Sequence, residues 1–304
     1  MINKLYGDAQ RLKAKGNSKW KYLYKINKLI VNICYPPIAY FSTKKGVDEN
    51  SDVIVSLTTY PARIKSVWVT VASLLNQTYK PRKVVLYLAK EQFPNGLEEL
   101  PAKLLRLQKR GLEIVFVEDD LKPHKKYYYA FSEYRNDSVI TADDDIFYPE
   151  NHIELLVEAS KRFPDSIICA RSHQIKYKDP SAKEFAPYNS WPEILTDESD
   201  LFTMPIGCNG VLYKPARFSD ELFDADKIKK YALYTDDIWL KVMELKDNIK
   251  AYNCVKEPLV YFDNIFTMNT GLWHTNTSDS NNRNDIVWNE LVDLYPFIRE
   301  NLSN

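Results

Sequence analysis

Apolar residues along the chain fall into short continuous runs separated by stretches with helical spacing. Val53-Ile54-Val55-Ser56-Leu57 is one such run, and its length and β-branching predict a buried strand. After Thr58-Thr59-Tyr60-Pro61, the residues Ile64, Val67, Trp68, Val71, Leu74 and Leu75 share one face of a helix. A second strand follows over Val84–Leu88, then a helical pattern from Leu97 to Leu107 that ends near Gly111, and a third strand over Leu112–Val117. A helix over His124–Glu133, a fourth strand over Ser138–Ala142 and a helix starting near Pro149 continue the alternation. Repeated strand–helix units of this length predict an α/β fold, a mainly parallel, doubly wound sheet with helices on both faces. Such sheets bind ligands at the carboxyl ends of their strands, so the loops after Leu57, Val117 and Ala142 are where chemistry is expected.

Ahead of the first strand the pattern differs. Residues 1–46 hold ten Lys and Arg but one acid, Asp8, so this arm carries +9 and the remainder −9 in a chain whose net charge is zero. A basic arm points to a polyanionic partner. Its apolar run Leu29–Phe41 is broken by Pro36-Pro37 and falls short of the ~20 residues of a membrane-spanning helix. It also lacks the small-residue cleavage site of a signal peptide. Lys mixed with Trp20, Tyr22 and Tyr24 suits a helix lying in a membrane interface; a helix that merely packs on the body is the alternative. The expected organisation is a basic membrane-interface arm (1–50) ahead of a body in two halves, 51–150 and 151–304, the second ending in a loop and helix.

Composition narrows the chemistry. With 45% hydrophobic and 27% charged residues, the 304-residue chain can bury a proper core. It contains only eight Gly and neither G-x-G-x-x-G nor G-x-x-x-x-G-K-[ST], so any nucleotide is held without those loops. The four Cys form no C-x-x-C pair and the four His no H-E-x-x-H, which leaves no zinc motif and makes a reducing cytoplasm the expected setting. What stands out is Asp143-Asp144-Asp145 directly after the fourth strand. Adjacent carboxylates at a strand end repel one another unless a cation sits among them. A turn there would let one reach the cation and another a ribose hydroxyl, with phosphate and water completing the metal shell. An acidic N-terminus for the next helix is the plainer alternative.

Val139-Ile140-Thr141-Ala142-Asp143-Asp144-Asp145-Ile146 resembles the D-x-D strand of the GT-A-fold glycosyltransferases, in particular the family 2-like bacterial enzymes of surface-polysaccharide biosynthesis. Other segments follow in the family's order. Val53 to Arg63 is similar to the first strand and base-binding loop. Trp68, Ser73-Leu74-Leu75-Asn76-Gln77-Thr78 and Pro81-Arg82-Lys83-Val84 resemble the helix and strand that follow. Gly207-Cys208-Asn209-Gly210-Val211-Leu212-Tyr213 resembles the acceptor-side strand. Thr235-Asp236-Asp237-Ile238-Trp239-Leu240 resembles the acidic opening of the helix that carries the catalytic carboxylate. The resemblance covers roughly residues 52–270, and it implies a nucleotide-sugar-binding half over 51–150 and an acceptor-binding half with a C-terminal loop and helix over 151–304.

It implies a GT-A fold and transfer of a sugar from a nucleotide-diphosphate donor to a saccharide or lipid-linked saccharide, with Mn²⁺ or Mg²⁺ as cofactor. Asp237 and Asp236 would be catalytic. Asp145, Asp143 and a late His274 would hold the metal, and Thr58, Thr59, Arg63, Asp119, Lys126, Asp143 and Asp144 the donor. Asp120 shares the expectation for Asp119. The chemistry is consistent without the family: a metal neutralises a departing diphosphate, a carboxylate takes the proton of the attacking hydroxyl, and two close carboxylates separate their pKa values. Asp236-Asp237 as a plain helix cap stays open as an alternative. Peripheral attachment at the inner membrane face through the arm is expected, and no nucleic acid partner. Two further functional classes compete: an Asp-dependent phosphotransferase or phosphatase, and a sugar-binding module without catalysis.

Overall fold

The computed structural model describes residues 2–179, 181, 184–195, 197–256, 261–267 and 282–302. Its strands are β1 (Val53–Thr58), β2 (Lys83–Ala89), β3 (Leu112–Val117), β4 (Ser138–Ala142), β5 (Ile146–Phe147), β6 (Ile167–Cys169), β7 (Ser172–Gln174), β8 (Tyr177–Asp179), β9 (Glu184–Phe185), β10 (Thr203–Pro205), β11 (Val211–Tyr213), β12 (Ala251–Asn253) and β13 (Phe262–Asp263). Helices are α1 (Ile2–Ala14), α2 (Trp20–Phe41), α3 (Val67–Leu74), α4 (Ala102–Leu105), α5 (Lys125–Glu133), α6 (His152–Arg162), α7 (Ala225–Lys227) and α8 (Asp236–Lys246), followed by Arg283–Leu294 and Phe297–Asn301. Seven strands form one sheet in the order β12-β6-β11-β4-β1-β2-β3, in which β11 alone runs against the rest. The sheet is thus mainly parallel, as the alternating pattern predicts.

Side chains alternate across each strand, and that alternation divides the interior in two. Val53, Val55 and Leu57 of β1, with Leu86 of β2 and Ile140 of β4, face a core shared with α2, α3 and α6. Ile54, Val85 and Val139 face the opposite core, built with α5, α8 and Arg283–Leu294. Burial on both faces is why these strands read as unbroken apolar runs. Between Leu97 and Leu107 the expected single helix is instead a chain of short turns, a 3₁₀ turn at Gly96–Glu99, α4 and a 3₁₀ turn at Arg106–Arg110, because Pro101 interrupts the backbone ladder.

The basic arm packs into the body. Helix α2 continues through Pro36-Pro37 to Phe41, where the sequence pattern predicts a break. Val31, Tyr35 and Ala39 are buried on one side of it, and the Tyr35 ring meets Phe147 edge-on at 5.7 Å, contacts that outweigh the lost helix bonds. From α1, Tyr6 stacks on Phe262 at 4.0 Å. Its hydroxyl donates to the Phe147 carbonyl and accepts the Phe262 amide, bracing the β5–β13 pair that directly follows the Asp triplet. Lys28 pairs with Asp263 at 2.7 Å. Among the described residues no helix is long and apolar enough to cross a membrane.

Replacing Tyr6 by Phe leaves that buried amide unsatisfied and is expected to cost about 1–3 kcal/mol. Urea unfolding of the variant checks this, and an unchanged midpoint would contradict the bracing role of α1.

Candidate active site

Strand register decides which loops meet. Leu57 of β1 lies beside Ala142 of β4, so Thr58-Thr59 and the Asp triplet emerge side by side. Antiparallel β11 pairs Val211 with Thr141, which brings the turn Gly207–Asn209 to the same sheet edge. Behind them, the Ser56 hydroxyl donates to the Lys126 carbonyl and ties the start of α5 to β1.

Lys126 links the parts. Its buried ammonium lies 2.7 Å from Asp143 and 2.9 Å from Asp236, joining the end of β4 to the first turn of α8. Burial opposes its charge, but Asp143, Asp236 and Asp237 together raise its pKa well above the ordinary value. The two carboxylates that open α8 are driven apart. Burial works against an ionised Asp236, but Lys126 and His124 outweigh it and hold that carboxyl below its usual range. Asp237 is pushed up to about 7 by burial and by the charge of Asp236. Asp237 accepts the Gly207 amide at 3.1 Å and stays half-buried. A Cβ at Gly207 would stand 2.6 Å from Asp237 Oδ1 and 3.2 Å from Lys126 Nζ, so a larger residue in this turn would displace the tips of that pair.

The triplet alternates. Asp144 is buried, with one oxygen accepting from Thr59 and the other from Arg63, while Asp143 and Asp145 remain half-buried on the open side. Arg63 also pairs with Asp145 at 3.1 Å. The Tyr148 hydroxyl accepts the Asp143 amide at 2.9 Å, Thr70 donates to the Asp144 carbonyl, and the Asp145 carbonyl accepts the Asn264 amide at 2.7 Å. Burial, then the charges of Asp144 and Asp143, push the Asp145 carboxyl up to about 7.

Several expected donor contacts have protein partners here. The Thr58 hydroxyl donates to the Tyr87 carbonyl, and Thr59 and Asp144 bind each other, so these three support the loop rather than present free groups. Asp120 is enclosed by Lys122, Lys125 and Gln92. Asp119 is exposed and paired with Lys229 at 3.2 Å. His274 lies outside the described residues. The sequence pattern does not reveal Arg171 and Tyr188, which lie near the Gly207–Asn209 turn and Asp237. Arg171 reaches Cys208 Sγ at 3.6 Å, and the buried Tyr188 hydroxyl is held protonated by burial and by Asp237. They come from irregular segments that carry no motif.

Fold and site together define a mainly parallel α/β sheet with acidic groups on two loops that meet at one edge. The profile of glycosyl transferase family 2 matches residues 54–211, just over half of the chain, and the chain belongs to that family. Comparison with curated proteins finds no match. Among solved structures, S. aureus TarS 1–349 in complex with UDP aligns at 13% identity and a TM-score of 0.42, over 69% of this chain and 59% of that one. A second structure of TarS 1–349 aligns at 14% identity and a TM-score of 0.40, over 69% and 58%. This chain therefore spans less than two thirds of the TarS chains it matches.

Lys126→Met would leave the buried Asp236 and the half-buried Asp143 without their cation and is expected to destabilise the fold by about 3–5 kcal/mol. Urea unfolding at pH 8 measures it, and a loss below about 1 kcal/mol would contradict the linking role.

Proposed function

We propose that this protein transfers a sugar from a nucleotide-diphosphate sugar to a saccharide or lipid-linked saccharide acceptor in surface-polysaccharide biosynthesis, at the inner face of the membrane. The observation that carries the reading is the divergence of Asp236 and Asp237 at the start of α8. One carboxylate is held ionised against Lys126, and its neighbour is raised to about 7, where a general base works best. Asp237 faces the half-open edge and takes the proton of the acceptor hydroxyl as that oxygen attacks the anomeric carbon. Asp236 keeps Lys126 in place and raises the proton affinity of Asp237. Arg171 and Tyr188 flank the acceptor.

The opposite side of the edge suits the donor. Asp145 and Asp143 form an open two-carboxylate set, and the crowding that raises Asp145 is what a divalent cation relieves. Among the described residues no three His, Cys, Asp or Glu converge on one point, so a cation here would complete its shell with diphosphate oxygens and water. The donor set fits Mn²⁺ or Mg²⁺, which when bound neutralises the charge of the leaving diphosphate. Arg63 stands beside Asp145 and supplies a second positive charge to the same group.

Two variants separate the roles. Asp237→Asn is expected to keep donor binding and lose transfer by about 10²-fold or more. Because the folded carboxyl titrates near 7, above its unfolded value, the native state loses stability as pH rises through that range. The Asn variant should therefore melt higher than wild type at pH 8, and wild-type kcat/KM should rise with pH through about 7. Near-normal turnover with a lower melting temperature would make Asp237 a helix cap only.

Asp145→Ala is expected to abolish metal-dependent binding of a nucleotide sugar while leaving the fold intact. Calorimetry with UDP-, GDP- and CMP-sugars, with and without Mn²⁺, checks it. Unchanged Mn²⁺-dependent affinity in the variant would sink the metal assignment.

A further inference from the structure

Helix α2 has two faces of opposite fate. Val31, Tyr35 and Ala39 lie in the core, while Tyr22, Ile26, Leu29, Ile33, Tyr40 and Phe41 recur at helical spacing on the outward side. Tyr22, Ile33 and Phe41 are 72%, 62% and 73% exposed. An unbroken apolar stripe along a 22-residue helix, about 33 Å long, is not an ordinary solvent-facing surface. Exposed Lys21 and Lys25 flank it.

At its C-terminal end the stripe meets a cleft of about 450 Å³, lined in part by Tyr40, Thr43, Lys103, Arg106, Lys109 and Arg110. Arg110 is only 3% exposed. Its Nε donates to the Lys44 carbonyl at 3.0 Å and one Nη to the Leu75 carbonyl at 3.1 Å, while the other Nη is buried with no partner. No carboxylate among the described residues pairs with it. A guanidinium cannot shed its proton to relieve this, so a buried one without a counter-ion calls for an anion, and phosphate oxygens match its fork.

We propose that the outward face of α2 docks the protein on an anionic phospholipid surface, with the helix in the interface plane and a lipid headgroup phosphate seated in the Arg110 cleft. Apolar burial and basic attraction are the two signals that stable peripheral binding needs, and here they adjoin. The charges also disfavour a second copy as the occupant, because self-association through this face would crowd the two sets of Lys and Arg together. The site lies apart from the carboxylates assigned to catalysis, so its test is independent of the transfer reaction.

Co-sedimentation of the full chain with vesicles at low salt decides it. Wild type should pellet with phosphatidylcholine vesicles containing phosphatidylglycerol and not with phosphatidylcholine alone. Ile26→Glu/Ile33→Glu and Lys103→Glu/Arg106→Glu should each raise the lipid concentration for half-binding by about tenfold or more. Their melting temperatures and nucleotide-sugar binding should match wild type, since these side chains face solvent. Failure of wild type to pellet, or pelleting unchanged in Ile26→Glu/Ile33→Glu, overturns the docking. Pelleting unchanged in Lys103→Glu/Arg106→Glu overturns the headgroup site. Light scattering that shows a wild-type dimer converted to monomer by Ile26→Glu/Ile33→Glu assigns the face to a second copy and also overturns the proposal.

Discussion

The Lys126 ammonium lies buried between Asp143 at the end of β4 and Asp236 at the start of α8, within 2.9 Å of both. Removing either carboxylate would leave a buried charge under-compensated, so the two loops and α5 are fixed relative to one another. The same cation explains why neighbouring acids behave differently. Asp236 gains the direct ion pair and stays ionised, while Asp237, one residue on, is raised by burial and by the charge of Asp236 more than Lys126 lowers it.

A second cation repeats the device at the Asp triplet. Arg63, in the turn after β1, holds the buried Asp144 and touches Asp145, so the middle acid of the triplet becomes part of the scaffold. Thr59, just after β1, and Thr70 of α3 fasten the same segment, and Tyr6 of α1 braces the β5–β13 pair behind it. The N-terminal arm therefore has two roles written on opposite sides. Its inner side supports the acidic loop, and its outer side presents apolar and basic surface.

The central strands are legible in the sequence because burial on both faces turns them into continuous β-branched runs. The Asp triplet is legible because adjacent carboxylates at a strand end repel one another, whereas Asp236-Asp237, which suit any helix start, stand out only by their place in the order of motifs. Other features depend on tertiary contacts that no local pattern encodes. Helix α2 passes through Pro36-Pro37 because Tyr35 and Ala39 pack on the body, and the three-residue strands β6 and β12 are too short to leave a period. Thr58, Thr59 and Asp144 look like ligand groups in a list of loop residues, and only the hydrogen bonds show them holding the loop. Arg171, Tyr188 and the uncompensated Arg110 give no sequence signal at all, since a lone cation or aromatic in an irregular segment is ordinary.

The central claim is that one edge of the sheet divides into a cation-binding side at Asp145 and Asp143 and a proton-accepting side at Asp237. Anomalous diffraction from a crystal grown with Mn²⁺ and a nucleoside diphosphate tests it most directly. The account predicts a single manganese peak coordinated by Asp145, with diphosphate oxygens completing its shell and Asp237 free of metal. A peak on Asp236 and Asp237, or a nucleotide bound away from this edge, would contradict it.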